Sequence, residues 1–200
     1  MNKTQLIEHL RKQNFSDKII QAFEKVKRED FISNEDKDLA YEDIPVFLGV
    51  NSATTSQPYT IAFMLDLLEL KKGQKILEIG SGSGYVLALM SEITRGEVYG
   101  VEIMKELVER SKKVLREYKN IKVIHKNGKN GLLKFASFDR ILISASCPNI
   151  DTVKSLTKQL KNNGIIVASV KDAVYKVVRE GENIKYEKYP GFVFVPLVVK

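Results

Sequence analysis

Three glycines at alternate positions follow a short apolar run of the chain and precede a helical pattern. The run is Lys75–Ile79, and Gly80, Gly82 and Gly84 come directly after it. Glycine adopts backbone angles that are closed to other residues, and without a Cβ it lets the main chain approach a ligand closely. A strand, a glycine-rich turn and a helix in this order predict a nucleotide-type binding loop in an α/β fold.

An acidic residue before the glycines, Glu78, narrows the class of ligand. A dinucleotide loop has the spacing G-x-G-x-x-G and places a pyrophosphate at the helix N-terminus, whereas this chain has G-x-G-x-G. A carboxylate two positions before the first glycine would repel phosphate and would suit a positively charged ligand. S-adenosylmethionine, with its ammonium and sulfonium groups, meets this requirement. The loop residues that we predict to bind it are Glu78, Gly80, Ser81, Gly82, Ser83, Gly84 and Tyr85.

A second acidic residue, Glu102, ends the next apolar run of the chain, 24 residues beyond Glu78. In doubly wound sheets the acid at the end of the second strand accepts hydrogen bonds from the ribose hydroxyls, about twenty residues after the glycine loop. We therefore predict that Glu102 binds the ribose of the cofactor. The alternative is a tight strand-to-helix turn with a solvent-facing glutamate and no ligand.

Size and composition restrict the class of protein. The 200 residues, 44% of them hydrophobic and 28% charged, suit one well-buried globular domain. The single cysteine, Cys147, excludes an internal disulfide framework and a multi-cysteine zinc site, so we predict no metal. Residues 1–11 are too polar for a signal peptide, and no apolar run approaches the roughly 18 residues of a membrane span. We therefore expect a cytoplasmic protein without membrane association.

The net charge of +7 raises the question of a polyanionic partner. Of the 32 basic residues 25 are lysines, and they are scattered in ones and twos along the chain. Lysine is a point charge, whereas bidentate recognition of phosphate and guanine favours arginine. We interpret the charge as a solvated surface and do not expect a nucleic-acid partner, although mild steering of an acidic substrate stays possible.

Periodicity divides the single domain into three parts. Residues 1–33 contain two amphipathic helical patterns and form an N-terminal helical extension. Residues 34–60 lose this periodicity and are predicted to form a substrate-side loop. Residues 61–200 are predicted to form the cofactor-binding α/β core, in which short apolar strands alternate with helices.

The core pattern predicts a doubly wound, mainly parallel seven-stranded sheet with a terminal antiparallel hairpin. The predicted strands cover residues 75–79, 98–102, 122–125, 138–144 and 164–170. The predicted helices cover residues 61–70, 84–93, 105–118 and 151–160. Three further β-like runs follow, at 175–179, 184–189 and 192–199, and a turn at 181–183 separates the first two, so the sheet is predicted to end in an antiparallel hairpin.

Several segments together resemble one known family. The element Thr54-Thr55-Ser56-Gln57-Pro58-Tyr59 and the ending Phe192-Val193-Phe194-Val195-Pro196-Leu197 are the most specific, and the glycine loop alone would identify only a superfamily. Supporting segments are Val26–Phe31, Ala40–Pro45, and Gln159–Lys161 leading to Gly164. Across nearly the whole chain the sequence is similar to protein-L-isoaspartate O-methyltransferases, which are class I S-adenosylmethionine-dependent methyltransferases with a Rossmann-like fold.

The resemblance implies methyl transfer to the free α-carboxyl group of L-isoaspartyl residues in damaged proteins, a repair reaction. A carboxylate is an anion at pH 7 and attacks the methyl carbon without a general base, so catalysis can rest on alignment. Ser56, with Thr54 and Thr55 nearby, could donate the hydrogen bonds that orient this carboxylate. The alternative for Ser56 is a turn hydroxyl that satisfies the local backbone.

The chain departs from the family pattern at several positions. Lys126-Asn127-Gly128 stands where the family has Gly-Asp-Gly. The family aspartate is implied to accept a hydrogen bond from the adenine amino group. Asn127 accepts without charge, so cofactor affinity is expected to be weaker. We include Asn127 and Gly128 among the predicted cofactor-binding residues. The segment Ser144–Pro148 also differs from the small-residue segment that is common there, which leaves substrate specificity open.

Two other functions stay open. An RNA or other S-adenosylmethionine-dependent methyltransferase is permitted by the charge. However, exocyclic-amine enzymes carry an Asn-Pro-Pro-Tyr-like element where this chain has Ser146-Cys147-Pro148-Asn149. Cytosine-C5 enzymes need a thiolate, commonly in a Pro-Cys order, and here the order is reversed. A non-catalytic cofactor-binding pseudoenzyme is supported only by Asn127 and by the loop after Val170, which lacks the glycine that the family resemblance leads us to expect there. The expected partners are isoaspartyl-containing proteins or peptides, and we expect a monomer.

Overall fold

The computed structural model describes residues 1–197 of the chain. Its α-helices are α1 (Lys3–Lys12), α2 (Asp17–Lys25), α3 (Pro58–Leu67), α4 (Tyr85–Thr94), α5 (Lys105–Val114) and α6 (Ile150–Leu156). Its strands are β1 (Val46–Phe47), β2 (Thr54–Thr55), β3 (Ile76–Ile79), β4 (Val98–Glu102), β5 (Ile121–His125), β6 (Phe138–Cys147), β7 (Leu160–Val170), β8 (Ala173–Glu180) and β9 (Asn183–Pro190). Short 3-10 turns join these elements, and one of them covers Arg28–Phe31.

The main sheet has seven strands in the order β5-β4-β3-β6-β7-β8-β9. The five strands β5, β4, β3, β6 and β7 are parallel to one another, and β8 is antiparallel to both of its neighbours, β7 and β9. The predicted doubly wound, mainly parallel sheet with a terminal hairpin is thus confirmed. After β3 the chain winds outward through β4 and β5 and then returns to the other side of β3 as β6. The carboxyl ends of β3 and β6 therefore flank the switch point, where open α/β sheets form their ligand crevice.

Apolar clusters cover both faces of the sheet, and successive residues of a strand contribute to opposite clusters because their side chains point to opposite sides. In β3, Ile76 packs with the helices α1 to α4, whereas Leu77 and Ile79 pack with α6 on the other face. Leu6 and Phe23 of the N-terminal extension belong to the same buried cluster as Ile76. The extension therefore completes one face of the core.

Several parts of the predicted pattern differ from the structure. Residues 34–60 contain a small antiparallel hairpin, in which β1 pairs with β2. The predicted run at 192–199 does not form a strand within its described part, and residues 198–199 lie outside the described residues. Within residues 192–197 a single β-bridge forms, between Pro196 and Ser146, because this segment runs beside only the last residues of β6. Helix α3 begins at Pro58, three residues earlier than predicted, since proline at the first helical position lacks only an N–H that would be unpaired.

In the part of the chain from residue 1 to 197, no helix combines the length and the apolar character that a bilayer crossing requires.

Candidate active site

The predicted glycine loop joins β3 to α4 in a tight turn. Gly80, Gly82 and Gly84 all have positive φ angles, of 78°, 51° and 86°. The Gly80 N–H donates to the Val101 carbonyl over 2.8 Å, which ties the loop to the end of β4. A Cβ at Gly80 would lie 3.3 Å from the Cβ of Ala145, so both the backbone angle and the close approach favour glycine there.

The carboxylate of Glu102 holds this turn together through three hydrogen bonds to the backbone. It accepts hydrogen bonds from the N–H groups of Gly82 over 2.9 Å, Ile103 over 2.8 Å and Met104 over 2.9 Å. Its side chain is nearly buried and lines the cavity beside the loop. Glu102 therefore holds the glycine loop at the end of β4 and presents carboxylate oxygens to whatever occupies the cavity.

Glu78 is buried below the loop, with 1% of its surface exposed. Its Oε1 accepts a hydrogen bond from the Ser144 hydroxyl over 2.6 Å, and its Oε2 has no partner within the described residues. Burial, assisted by the negative charge of Glu102 and opposed by the Ser144 hydrogen bond, raises the pKa of Glu78 to about 8. At neutral pH the free enzyme thus holds this carboxyl largely in its neutral form.

This raised pKa predicts a pH-dependent stability that Glu78→Gln removes. The ordinary pKa is 4.5, so above that pH the unfolded side chain has lost its proton while the folded side chain keeps it up to about pH 8. The folded state then binds more protons, and its free energy of unfolding falls by about 1.4 kcal/mol per pH unit within this window. Urea unfolding at pH 5, 6, 7 and 8 measures the effect.

We expect the Gln variant to gain stability relative to the unsubstituted protein steadily from pH 5 to pH 8, and the gain to level off above pH 8. Glu97→Gln, at an exposed carboxylate before β4, is the control and should leave the pH profile unchanged. Parallel profiles for Glu78→Gln and the unsubstituted protein would contradict a buried neutral carboxyl.

A cavity, here called the glycine-loop cavity, opens at the carboxyl ends of β3, β4 and β6. Gly128 also lines it, and a Cβ at Gly128 would lie 2.4 Å from Cγ2 of Ile79. The full lining is Ser52, Ala53, Thr54, Ile79, Gly80, Gly82, Val101, Glu102, Ile103, Met104, Leu107, Gly128, Ser144, Ala145, Val195, Pro196 and Leu197.

A second cavity, here called the Ser56 cavity, adjoins the first. Its lining residues are Pro45, Thr54, Ser56, Gln57, Thr60, Ser144, Gly191, Phe192, Val193, Phe194, Val195 and Pro196. Thr54, Ser144, Val195 and Pro196 line both cavities. A ligand in the glycine-loop cavity and a ligand in the Ser56 cavity would therefore meet at this shared wall.

The three predicted substrate-side residues are placed differently. Thr54 lines both cavities, and Ser56 lines only the Ser56 cavity. Thr55 is 6% exposed and lines neither, because alternate side chains of a strand point to opposite sides. The structure thus places Thr54 and Ser56 at the site and Thr55 beneath it.

The predicted cofactor-binding residues also divide into two groups. Gly80, Gly82, Glu102 and Gly128 line the glycine-loop cavity, and Glu78 reaches its wall through Ser144. The remaining predicted residues, Ser81, Ser83, Gly84, Tyr85 and Asn127, do not line it.

Three of these outlying residues have structural roles that the sequence pattern did not indicate. Tyr85 is buried, and its ring packs on Phe31 with a centroid distance of 5.5 Å. Gly84 is the residue before α4, with Leu115 against the place where a Cβ would lie. Asn127 accepts a hydrogen bond from the Lys129 N–H over 2.9 Å and so caps the turn that carries Gly128.

Sequence reasoning missed two features of the site. Ser144 lines both cavities and hydrogen bonds to Glu78, although its position at the carboxyl end of the strand beside β3 was a usable signal. Val195 and Pro196 also line both cavities, and this segment is held by Ser146, whose N–H donates to the Val195 carbonyl over 2.8 Å. That contact joins residues far apart in the chain, and no local pattern predicts it.

Within residues 1–197 no group of three or more His, Cys, Asp or Glu side chains could hold a metal ion. Cys147 is buried, and desolvation raises the pKa of its thiol to about 12. A thiolate nucleophile at neutral pH is therefore disfavoured at this position.

Comparisons with known proteins agree on one family. Over residues 1–200 the chain matches the sequence profile described as Protein-L-isoaspartate(D-aspartate) O-methyltransferase. A protein-L-isoaspartate O-methyltransferase of Methanothrix thermoacetophila is 39% identical over 209 aligned residues, which cover 100% of this chain and 96% of the relative.

Two solved structures share the fold. A protein-L-isoaspartate O-methyltransferase superposes with a TM-score of 0.89 at 24% identity, over 98% of this chain and 65% of the solved one. A Plasmodium falciparum protein, assigned as a protein-L-isoaspartate O-methyltransferase and solved with S-adenosyl-L-homocysteine, superposes with a TM-score of 0.85 at 24% identity, over 99% of each chain.

Proposed function

The chain belongs to the protein-L-isoaspartate O-methyltransferase family, and we propose that it methylates the free α-carboxyl group of L-isoaspartyl residues in damaged proteins. S-adenosylmethionine is the methyl donor. The observation that carries this proposal is the contact between the glycine-loop cavity and the Ser56 cavity. A methyl donor in the first and a carboxylate in the second would face each other across Thr54 and Ser144.

The residues of the glycine-loop cavity fit S-adenosylmethionine. Glu102 offers carboxylate oxygens to the ribose hydroxyls, and Gly80, Gly82 and Gly128 line the same cavity with backbone that a ligand can approach closely. Glu78 holds a buried oxygen, Oε2, without a partner in the described structure. A cationic group of the ligand beside it would favour loss of the carboxyl proton, and the ionised oxygen would then accept from that group. When bound, the cofactor supplies an electrophilic methyl group.

The protein's own contribution to the reaction is alignment. The isoaspartyl carboxylate is ionised at neutral pH, so no residue has to remove a proton from it. Ser56 and Thr54 line the Ser56 cavity, which supports the proposal that their hydroxyls donate hydrogen bonds to the carboxylate oxygen that does not attack. Val195 and Pro196 line the wall that the two cavities share.

We further propose that the protein acts in the cytoplasm as a monomer. The three-part organisation of the chain, with an extension, a substrate-side loop and a cofactor-binding core, is part of the same proposal. It is supported by the lining of the Ser56 cavity, to which the substrate-side loop contributes Pro45, just before β1, and Thr54 of β2.

The test compares methyl transfer to a synthetic isoaspartyl peptide and to its aspartyl twin. Because only the isoaspartyl isomer presents a free α-carboxylate within the chain, we expect base-labile label from S-adenosylmethionine on that peptide alone. Label on neither peptide, in a preparation that binds S-adenosylhomocysteine, would contradict the proposal and favour either an RNA substrate or cofactor binding without catalysis. Label on both peptides would contradict the isoaspartyl specificity.

A further inference from the structure

Arg28 lies in the turn before the substrate-side loop and is fully buried, with 0% of its surface exposed. Its guanidinium donates four hydrogen bonds, all to backbone carbonyls. Nη1 donates to Ala40 over 2.9 Å and to Glu42 over 3.2 Å, and Nη2 donates to Ile44 over 3.1 Å and to Ser56 over 3.1 Å. Within residues 1–197 it forms no ion pair, so these carbonyls are its main stabilisation.

Such an arrangement is specific to arginine. Burial of the charge is costly and lowers the pKa of Arg28, so the guanidinium has to be compensated by well-placed acceptors. A planar fork of donors can reach four carbonyls from two separate segments, whereas a lysine ammonium has three donors on one atom. The four hydrogen bonds therefore hold residues 40–44 and the backbone of Ser56 together around one guanidinium.

The Arg28 guanidinium lies behind the wall of the Ser56 cavity that contains Ser56. Asp43 secures the same wall, because its carboxylate accepts from Gln57 Nε2 over 2.9 Å and from the Tyr59 N–H over 2.8 Å. On its other side, Cζ of Arg28 lies 6.0 Å from the ring centroid of Tyr85, the first residue of α4 after the glycine loop. Arg28 thus stands between the wall that carries Ser56 and the helix that follows the cofactor loop.

We propose that Arg28 is a positioning residue for methyl transfer: its guanidinium holds Ser56 in register with the glycine-loop cavity. The inference rests on the proposed function. Arg28 lines neither cavity, so it acts through the backbone of Ser56 and makes no contact with substrate. A displacement of about 1 Å at the reacting groups is enough to lower the rate by up to about 100-fold.

The chain offers a matched control in Arg140. It is also buried, at 6% exposure, and it also donates to backbone carbonyls, those of Leu68, Glu69 and Asp139. It lies near the amino-terminal end of β6, away from the cavities at the carboxyl end. Loss of this guanidinium should lower stability in a comparable way without moving Ser56.

The experiment measures kcat and KM for an isoaspartyl peptide, and Kd for S-adenosylhomocysteine, in Arg28→Lys, Arg28→Met and Arg140→Lys. We expect both Arg28 variants to lose at least about tenfold in kcat/KM while Kd for the cofactor product stays within about twofold. Arg140→Lys should lower the unfolding midpoint but keep the peptide KM and kcat. Arg28→Met removes the buried charge together with its desolvation cost, but it leaves the four carbonyls without this donor. Circular dichroism and S-adenosylhomocysteine binding therefore establish that each variant is folded before its kinetics are compared.

The results of this experiment distinguish the positioning role of Arg28 from the proposed methylation of isoaspartyl residues. If the unsubstituted protein methylates the peptide and either Arg28 variant binds S-adenosylhomocysteine and retains full kcat/KM, the positioning role is overturned. An equal loss of kcat/KM in Arg140→Lys would also overturn it, because the effect would then follow general stability. If the unsubstituted protein binds the cofactor product and methylates no isoaspartyl peptide, the proposed function fails and the role of Arg28 fails with it.

Discussion

Replacement of Glu102 with Ala is expected to lower the affinity for S-adenosylhomocysteine by about 100-fold. A hydrogen bond to a charged group contributes about 1.5–3 kcal/mol, and the two ribose hydroxyls would lose a shared charged acceptor. Loss of about 3 kcal/mol corresponds to about a 100-fold change in Kd. The substitution also frees the N–H groups of Gly82, Ile103 and Met104, which the carboxylate holds in the glycine loop. Calorimetric titration with S-adenosylhomocysteine measures this effect directly.

Two further variants show whether the carboxylate itself is responsible. Glu102→Gln keeps one acceptor oxygen and the size of the side chain, so its affinity should lie between those of the Ala variant and the unsubstituted protein. Glu106→Ala removes an exposed carboxylate from the next helix, where it pairs with Arg110, and should leave the affinity unchanged. Equal Kd values for Glu102→Ala and the unsubstituted protein would exclude Glu102 from cofactor binding.

Replacement of Ser56 with Ala is expected to lower kcat/KM for an isoaspartyl peptide by about 100-fold. The Ser56 hydroxyl makes no hydrogen bond within residues 1–197, so it is available to a ligand, and its side chain lines the cavity next to Thr54. Loss of one preorganised donor at a reacting centre typically costs about 10²–10³ in rate. The lower end applies because the carboxylate carries its charge before the reaction begins. Initial rates over a range of peptide concentrations measure the loss.

Thr55→Val is the matched control for this prediction. Thr55 is the neighbouring residue, it is buried, and it lines neither cavity. The valine variant keeps the shape of the side chain and should retain kcat/KM, although it removes a hydroxyl. The assignment of Ser56 would be wrong if Ser56→Ala were as active as the unsubstituted protein, or if Thr55→Val lost as much activity.

The fold was largely predictable because its signals are local and repeated. Apolar strands separated by helical patterns predicted the parallel sheet, and β4 runs over the predicted residues, Val98–Glu102. Where tertiary contacts extend an element, the local signal ended too early. Strand β6 continues to Cys147, because Ser146 pairs with Pro196 and Cys147 pairs with Val170. The hairpin of β1 and β2 was missed because two-residue strands carry almost no periodicity.

The candidate site was only partly predictable, and the reason is side-chain direction. The motif at residues 54–56 indicated three hydroxyls, whereas the pleat turns Thr55 away from Thr54 and Ser56. Tyr85 follows the glycine loop directly, yet the first turn of α4 points its ring into the core beside Phe31. Adjacency in sequence does not decide which side of a strand or helix a residue presents.

The sequence by itself determined the fold class, the family and the cofactor loop, because glycine spacing, acidic positions and apolar periods are properties of short segments. Only the tertiary structure decided which residues meet. It brought Ser144 to Glu78 across two parallel strands and placed the Arg28 guanidinium on carbonyls up to 28 residues away. It also placed Val195 and Pro196 in the lining of both cavities. These contacts join residues that are far apart in the chain, so no pattern within a short segment predicts them.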